Sequence, residues 1–131
     1  MAKSSLRGYW RSKVTSGSTF CTPILSVQGS FDPTSASQVK LFDLPNGAIP
    51  LGVDSLGGAT GGTNPTVIVG TTVDDNGFAD ELDADGIAFN GIGALTGISL
   101  TTDTAVYGKV GASAATGGTT TVIMKYRMPQ V

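Results

Sequence analysis

The chain contains no histidine, one cysteine and one tryptophan in 131 residues, and only 14% of its residues are charged. Each scarcity removes a class of function. Without histidine, Ser-His-Asp and Cys-His catalytic arrangements are impossible, and so is a Cys/His metal cluster. Cys21 stands alone, so no intrachain disulfide forms and synthesis in a reducing compartment is permitted. No basic residue near Cys21 favours a thiolate, and Pro23, Ile24 and Leu25 follow it. It therefore reads as a small apolar residue rather than a reactive thiol or an intersubunit bridge. No apolar run approaches the roughly 20 residues that span a bilayer, and nothing behind the first basic residues resembles a secretory signal. Neither a membrane partner nor visible export is expected.

What the chain has in quantity is punctuation. Nineteen glycines and many Ser and Thr residues accompany a 40% hydrophobic content, which is too apolar for disorder and too turn-rich for a helical bundle. The length suits one domain. From Leu41 to Leu82, short β-branched runs alternate with Pro, Gly and Asn. Thr66 to Val73 is the clearest run, bounded by Asn64-Pro65 and by Asp74-Asp75-Asn76-Gly77. Period-two alternation recurs in Val106, Gly108 and Val110 and in Val122, Met124, Tyr126 and Met128. Strands are expected at 20–29, 39–44, 48–56, 66–73, 86–90, 97–100, 104–110 and 119–128, the first on an edge because Pro23 interrupts it. Gly57 to Thr63 reads as a mobile loop, and Phe78 to Leu82 as the one helix-like fragment, barely more than a turn. The fold class expected is all-β, a single β-sandwich of the jelly-roll kind.

The chemical motifs are near misses. Glycines at 57–62 suggest a phosphate cradle, but the Lys and Ser/Thr that must open a following helix are missing. Gly91 to Gly97 has one residue too many for the dinucleotide fingerprint. Glu81-x-Asp83-x-Asp85-Gly86 matches the first half of a calcium loop, yet position nine is Phe89 and position twelve is Ile92. A solvated acidic turn is favoured over a calcium site of another type. No glycine-flanked serine elbow exists, and six of the ten acids lie in one segment, as a solvated face would place them. No catalytic residue, no cofactor and no enzymatic activity are expected.

Charge is unevenly placed. Net charge is −2 and the pI about 4.7, which disfavours nucleic acid as a partner. Lys3, Arg7, Arg11 and Lys13 nevertheless fall in the first stretch with no acid among them, while Asp74, Asp75, Asp80, Glu81, Asp83 and Asp85 crowd together mid-chain. Residues 1–18 lack a 3.6-residue period and read as an extended arm ahead of a sandwich at 19–131. Tyr9 and Trp10 within it either tuck back onto their own domain or dock on a neighbour, with Arg7, Tyr9, Trp10 and Arg11 as the candidate interface.

LPNGA at Leu44–Ala48, NPTVIVGT at Asn64–Thr71, DDNGFAD at Asp74–Asp80, LTTDTAVYGKV at Leu100–Val110 and the closing TVIMKY together resemble small virion structural proteins of tailed bacteriophages. Head decoration, or cement, proteins are of that kind. The resemblance covers roughly residues 40 to 127 and leaves the basic arm outside it. It implies a non-enzymatic β-fold located in the virion capsid and made in the host cytoplasm. Its partners would be the major capsid protein or other virion proteins, and by analogy it would form a homotrimer. A minor tail or head-to-tail connector protein, and a carbohydrate-binding adhesin domain, remain the alternatives.

Cys21→Ser is expected to leave folding and assembly intact. Non-reducing gels of thiol-blocked material check this, and a covalent dimer of the native chain would contradict it.

Overall fold

The computed structural model describes residues 23–129, so the arm with Arg7, Tyr9, Trp10 and Arg11, and Cys21, lie outside the described residues. Eight strands follow one another: β1 (Leu25–Phe31), β2 (Val39–Leu44), β3 (Ile49–Thr60), β4 (Thr66–Gly70), β5 (Ala79–Asp83), β6 (Ile87–Gly91), β7 (Thr104–Val110) and β8 (Gly117–Arg127). They form two four-stranded sheets, ordered β1-β8-β3-β6 and β2-β7-β4-β5, with every pair antiparallel. Strand β1 pairs with β8, β2 with β7, β3 with β6 and β4 with β5, as in one long hairpin. Rolling that hairpin so that alternate pairs fall in alternate sheets gives the jelly roll. The all-β sandwich expected from the sequence is the fold observed.

The alternation of side chains explains the layering. In β7, Val106, Gly108 and Val110 are buried while Tyr107 and Lys109 are half-buried. In β8, Thr120, Val122 and Met124 point inward. Val53, Val122 and Met124 of the first sheet join Leu44, Val67, Val69 and Val106 of the second, with Phe78 just ahead of β5, in one fully buried cluster. Each such side chain contributes about 1.5–3 kcal/mol by leaving water. Proline stays out of the ladder's way: Pro23 precedes β1, which is an edge strand as expected, and Pro50 sits beside a register shift in β3.

Three local expectations are corrected. Phe78–Leu82 is not helical, because Ala79 and Leu82 pair with Val69 and Val67 and are buried, and tertiary pairing overrides so short a helical preference. Residues 97–100 do not form a strand; the Gly97 amide donates to the Pro50 carbonyl, and Leu100 exchanges backbone bonds with Gly47 and Ala48. The glycine-rich stretch is a loop only in its second half. Strand β3 runs on through Thr60, and a Cβ on Gly57 would lie 2.4 Å from the Ala84 carbonyl oxygen, so a side chain there would block the close passage of the β5–β6 turn.

Phe78→Ala is expected to cost about 3–5 kcal/mol of stability through transfer and cavity terms. Thr120→Val should cost about 0.5–1.5 kcal/mol, since it removes one of two donors to the Ala84 carbonyl, which keeps the Ala59 amide. Denaturant unfolding measures both.

Candidate interaction surface

The two edge strands β5 and β6 follow one another in the chain and lie on the same side of the sandwich, β5 closing one sheet and β6 the other. The turn between them crosses from sheet to sheet and is held from inside by two buried hydroxyls. Ser55 Oγ donates to the Asp83 carbonyl and Thr120 Oγ1 to the Ala84 carbonyl, both at 2.9 Å. The Ala84 amide donates in turn to the Pro65 carbonyl at 3.0 Å. This corner is consequently fixed, and with it the side chains that flank it.

Both edges carry a bulge centred on a non-glycine residue at positive φ. In β5 two residues, Asp80 and Glu81, oppose Ile68, with Glu81 at φ 50°. In β6 Phe89 and Asn90 oppose Asp54, with Asn90 at φ 57°. Side chains hold each strained residue. The Glu81 carboxylate accepts from Thr66 Oγ1 and from the Ala112 amide. The Asn90 amide donates to Asp54 Oδ1 at 2.9 Å, and Lys125 Nζ donates to Asn90 Oδ1 at 2.7 Å. Bulged edges discourage strand-to-strand addition, so this side offers side chains rather than a free ladder.

Those side chains are of two kinds. On the outer face of the first sheet, Ile87 is 61% and Phe89 69% exposed, while Ala88 between them turns inward. Leu56, directly opposite Ile87 on β3, is exposed as well, and half-buried Ile123 lies one strand further on. At the β5–β6 corner that leads into this strip stand Asp83 and Asp85, and neither they nor Asp80 in the β5 bulge have a basic partner among the described residues. Asp83 accepts a hydrogen bond from the Asp85 amide at 3.4 Å. Hydrogen bonding to the Asp83 carboxylate, and repulsion from it, raise the Asp85 carboxyl above its ordinary value.

The calcium half-motif is not a metal cage here. Glu81 is engaged with Thr66 and Ala112, away from the Asp83–Asp85 pair, and among the described residues no three His, Cys, Asp or Glu side chains converge. A shallow cleft of about 460 Å³ elsewhere is lined by Asp43, Leu44, Pro45 and Asp103. Both of its carboxylates have structural partners: Lys40 Nζ lies 3.1 Å from Asp43, and the Asn46 amide donates to Asp103 at 2.9 Å. The four residues picked from the sequence as an interface lie outside the described residues. The sequence carries no signal for the apolar strip, because the short run Ile87-Ala88-Phe89 is equally consistent with large residues facing inward.

No family model matches the chain, and no curated protein does. Solved structures do match. A chain of the cyanophage Pam1 capsid asymmetric unit is 25% identical, with a TM-score of 0.59 over 84% of this chain and 88% of that one. A chain in the acidic stable capsid structure of Helicobacter pylori bacteriophage KHP30 is 16% identical, with a TM-score of 0.61 over 84% of this chain and 92% of that one. A chain in the capsid of Ralstonia phage GP4 is 19% identical, with a TM-score of 0.61 over 85% and 88%. The last two likenesses are of fold, and the first carries the same fold at higher identity.

Proposed function

We propose that this chain is a non-enzymatic structural protein of a bacteriophage virion, and specifically a decoration or cement protein that stabilises the head. The observation that carries the reading is the likeness of the whole described sandwich to chains from three phage capsid structures, each covered over most of its own length. The residues agree with it. The sequence contains no histidine, and the carboxylates of Asp43, Glu81 and Asp103 are tied to ladder and turn geometry. Among the described residues Phe89 is the single exposed aromatic, less than the platform a carbohydrate-binding face uses.

A small acidic domain holds to a large shell by many weak contacts acting together. A closed homo-oligomer, with a trimer as the preferred assembly, presents several identical contacts at once, and linked contacts act at effective concentrations on the order of millimolar. Residues 1–18 serve as the reaching element in this proposal, with Tyr9 and Trp10 as anchors and Arg7 and Arg11 meeting acidic groups on a neighbour.

Two measurements test the proposal. The stoichiometry in purified particles should be of the same order as that of the major capsid protein; a handful of copies per particle would instead favour a tail or connector component. A chain lacking residues 2–13 should fold but no longer decorate particles that lack the protein. Decoration equal to that of the full chain at the same salt concentration would place attachment on the sandwich.

A further inference from the structure

The charge of this chain is split between two regions of opposite sign. Residues 1–22 hold four basic residues and no acid, which leaves the remainder with four bases against ten acids. Three of those four bases, Lys40, Lys109 and Lys125, already face a carboxylate of their own sandwich. Among the described residues the acids at the β5–β6 corner have no such neighbour, and Asp85 stands two residues from Ile87 at the end of the apolar strip. The surface thus combines apolar side chains with uncompensated negative charge. Residues 7–11, Arg-Gly-Tyr-Trp-Arg, combine aromatic side chains with positive charge.

We propose that the strip formed by Leu56, Ile87 and Phe89, with Asp83 and Asp85 at its margin, is the docking surface for residues 7–11 of a second copy of this chain. Tyr9 and Trp10 cover the strip, and Arg7 and Arg11 meet the carboxylates. The inference rests on the reading of residues 1–18 as an interface element and adds the surface that receives it.

The topology favours a second copy. The N-terminal segment joins the sandwich through Pro23 and Ile24 at β1, and β1 and β6 are opposite edges of one sheet. A donor at one edge and an acceptor at the other make a head-to-tail contact, which closes into a ring when the rotation allows. The stretch from Arg11 to Pro23 extends at most about 40 Å, enough to cross from one sandwich to the next. Each such contact also sets positive charge against a domain that would otherwise repel its copies. The bulges at Glu81 and Asn90 blunt backbone pairing along both edges, so the contact is made by side chains.

Trp10 is the only tryptophan, so its fluorescence reports the docking directly. The full chain is titrated across its oligomerisation range, followed by emission wavelength and by sedimentation. The same is done for Ile87→Asp/Phe89→Asp and for Asp83→Asn/Asp85→Asn. The replaced positions are exposed, and circular dichroism verifies the fold of each variant. Emission of the native chain should move to shorter wavelength as the oligomer forms and return on dilution. The Ile87/Phe89 variant should raise the dissociation constant about thirtyfold or more, the loss expected of one hot-spot residue. The Asp variant should weaken association less and flatten its salt dependence.

Three outcomes overturn the inference: emission that does not change on association, a blue-shifted emission that persists in the monomer, and an oligomer that the Ile87/Phe89 variant leaves unaltered. Particle binding is scored separately. If the native chain decorates heads while any of these three occurs, the proposed function stands and the docking surface falls. If the titration behaves as expected and the native chain does not bind heads, the docking surface stands and the virion role falls.

Discussion

Everything in this molecule depends on two sheets that each have one apolar face and must cover it with the other. Val53, Val122 and Met124 on one inner face, and Val67, Val69 and Val106 on the other, are fully buried only because the sheets lie against each other. Neither sheet alone would keep such a face out of water. Since side chains alternate strictly along a strand, a one-residue slip in β7 or β8 would turn a buried row outward. The mutual burial therefore sets the register of the central strands, and the central strands set where the edges fall.

The edges are where polar chemistry re-enters. Among the described residues Ser55 and Thr120 are the buried polar side chains, and both donate to carbonyls where the chain leaves one sheet for the other. A buried donor matched to a carbonyl that has left its ladder satisfies two groups at once. The result is a corner held rigidly by the core, carrying Asp83 and Asp85 on its outside and delivering Ile87 and Phe89 to the outer face. The acid side chains are thus placed by apolar packing, several residues removed from them.

Bulged edges and a divided charge bear on the same problem of controlled association. A sandwich with four bases and ten acids repels its own copies at long range, and on the side of β5 and β6 its bulged edges give backbone pairing little to extend. Association under those conditions has to be chosen by particular side chains. An exposed apolar strip at a fixed corner provides such a choice, whereas a flat open edge would accept many partners.

Period-two alternation, β-branched runs and turn residues made the all-β sandwich readable from the residues in order, because each of these signals is local: a side chain's stiffness, a proline's missing donor, a turn's need for glycine. The strands at 39–44 and 104–110 could be read in the same way to the residue. The strand at Ala79–Asp83 could not, since its five residues are helix-compatible by themselves and become a strand only by pairing with Val67 and Val69. Residues 97–100 fail as a strand for the converse reason: their apolar residues find their backbone partners at Gly47, Ala48 and Pro50 instead of in a ladder. The apolar strip was hidden in the same way. Which face of Ile87-Ala88-Phe89 meets water follows from the side on which Ala88 reaches the core, and that is decided by the packing of residues distant in the chain.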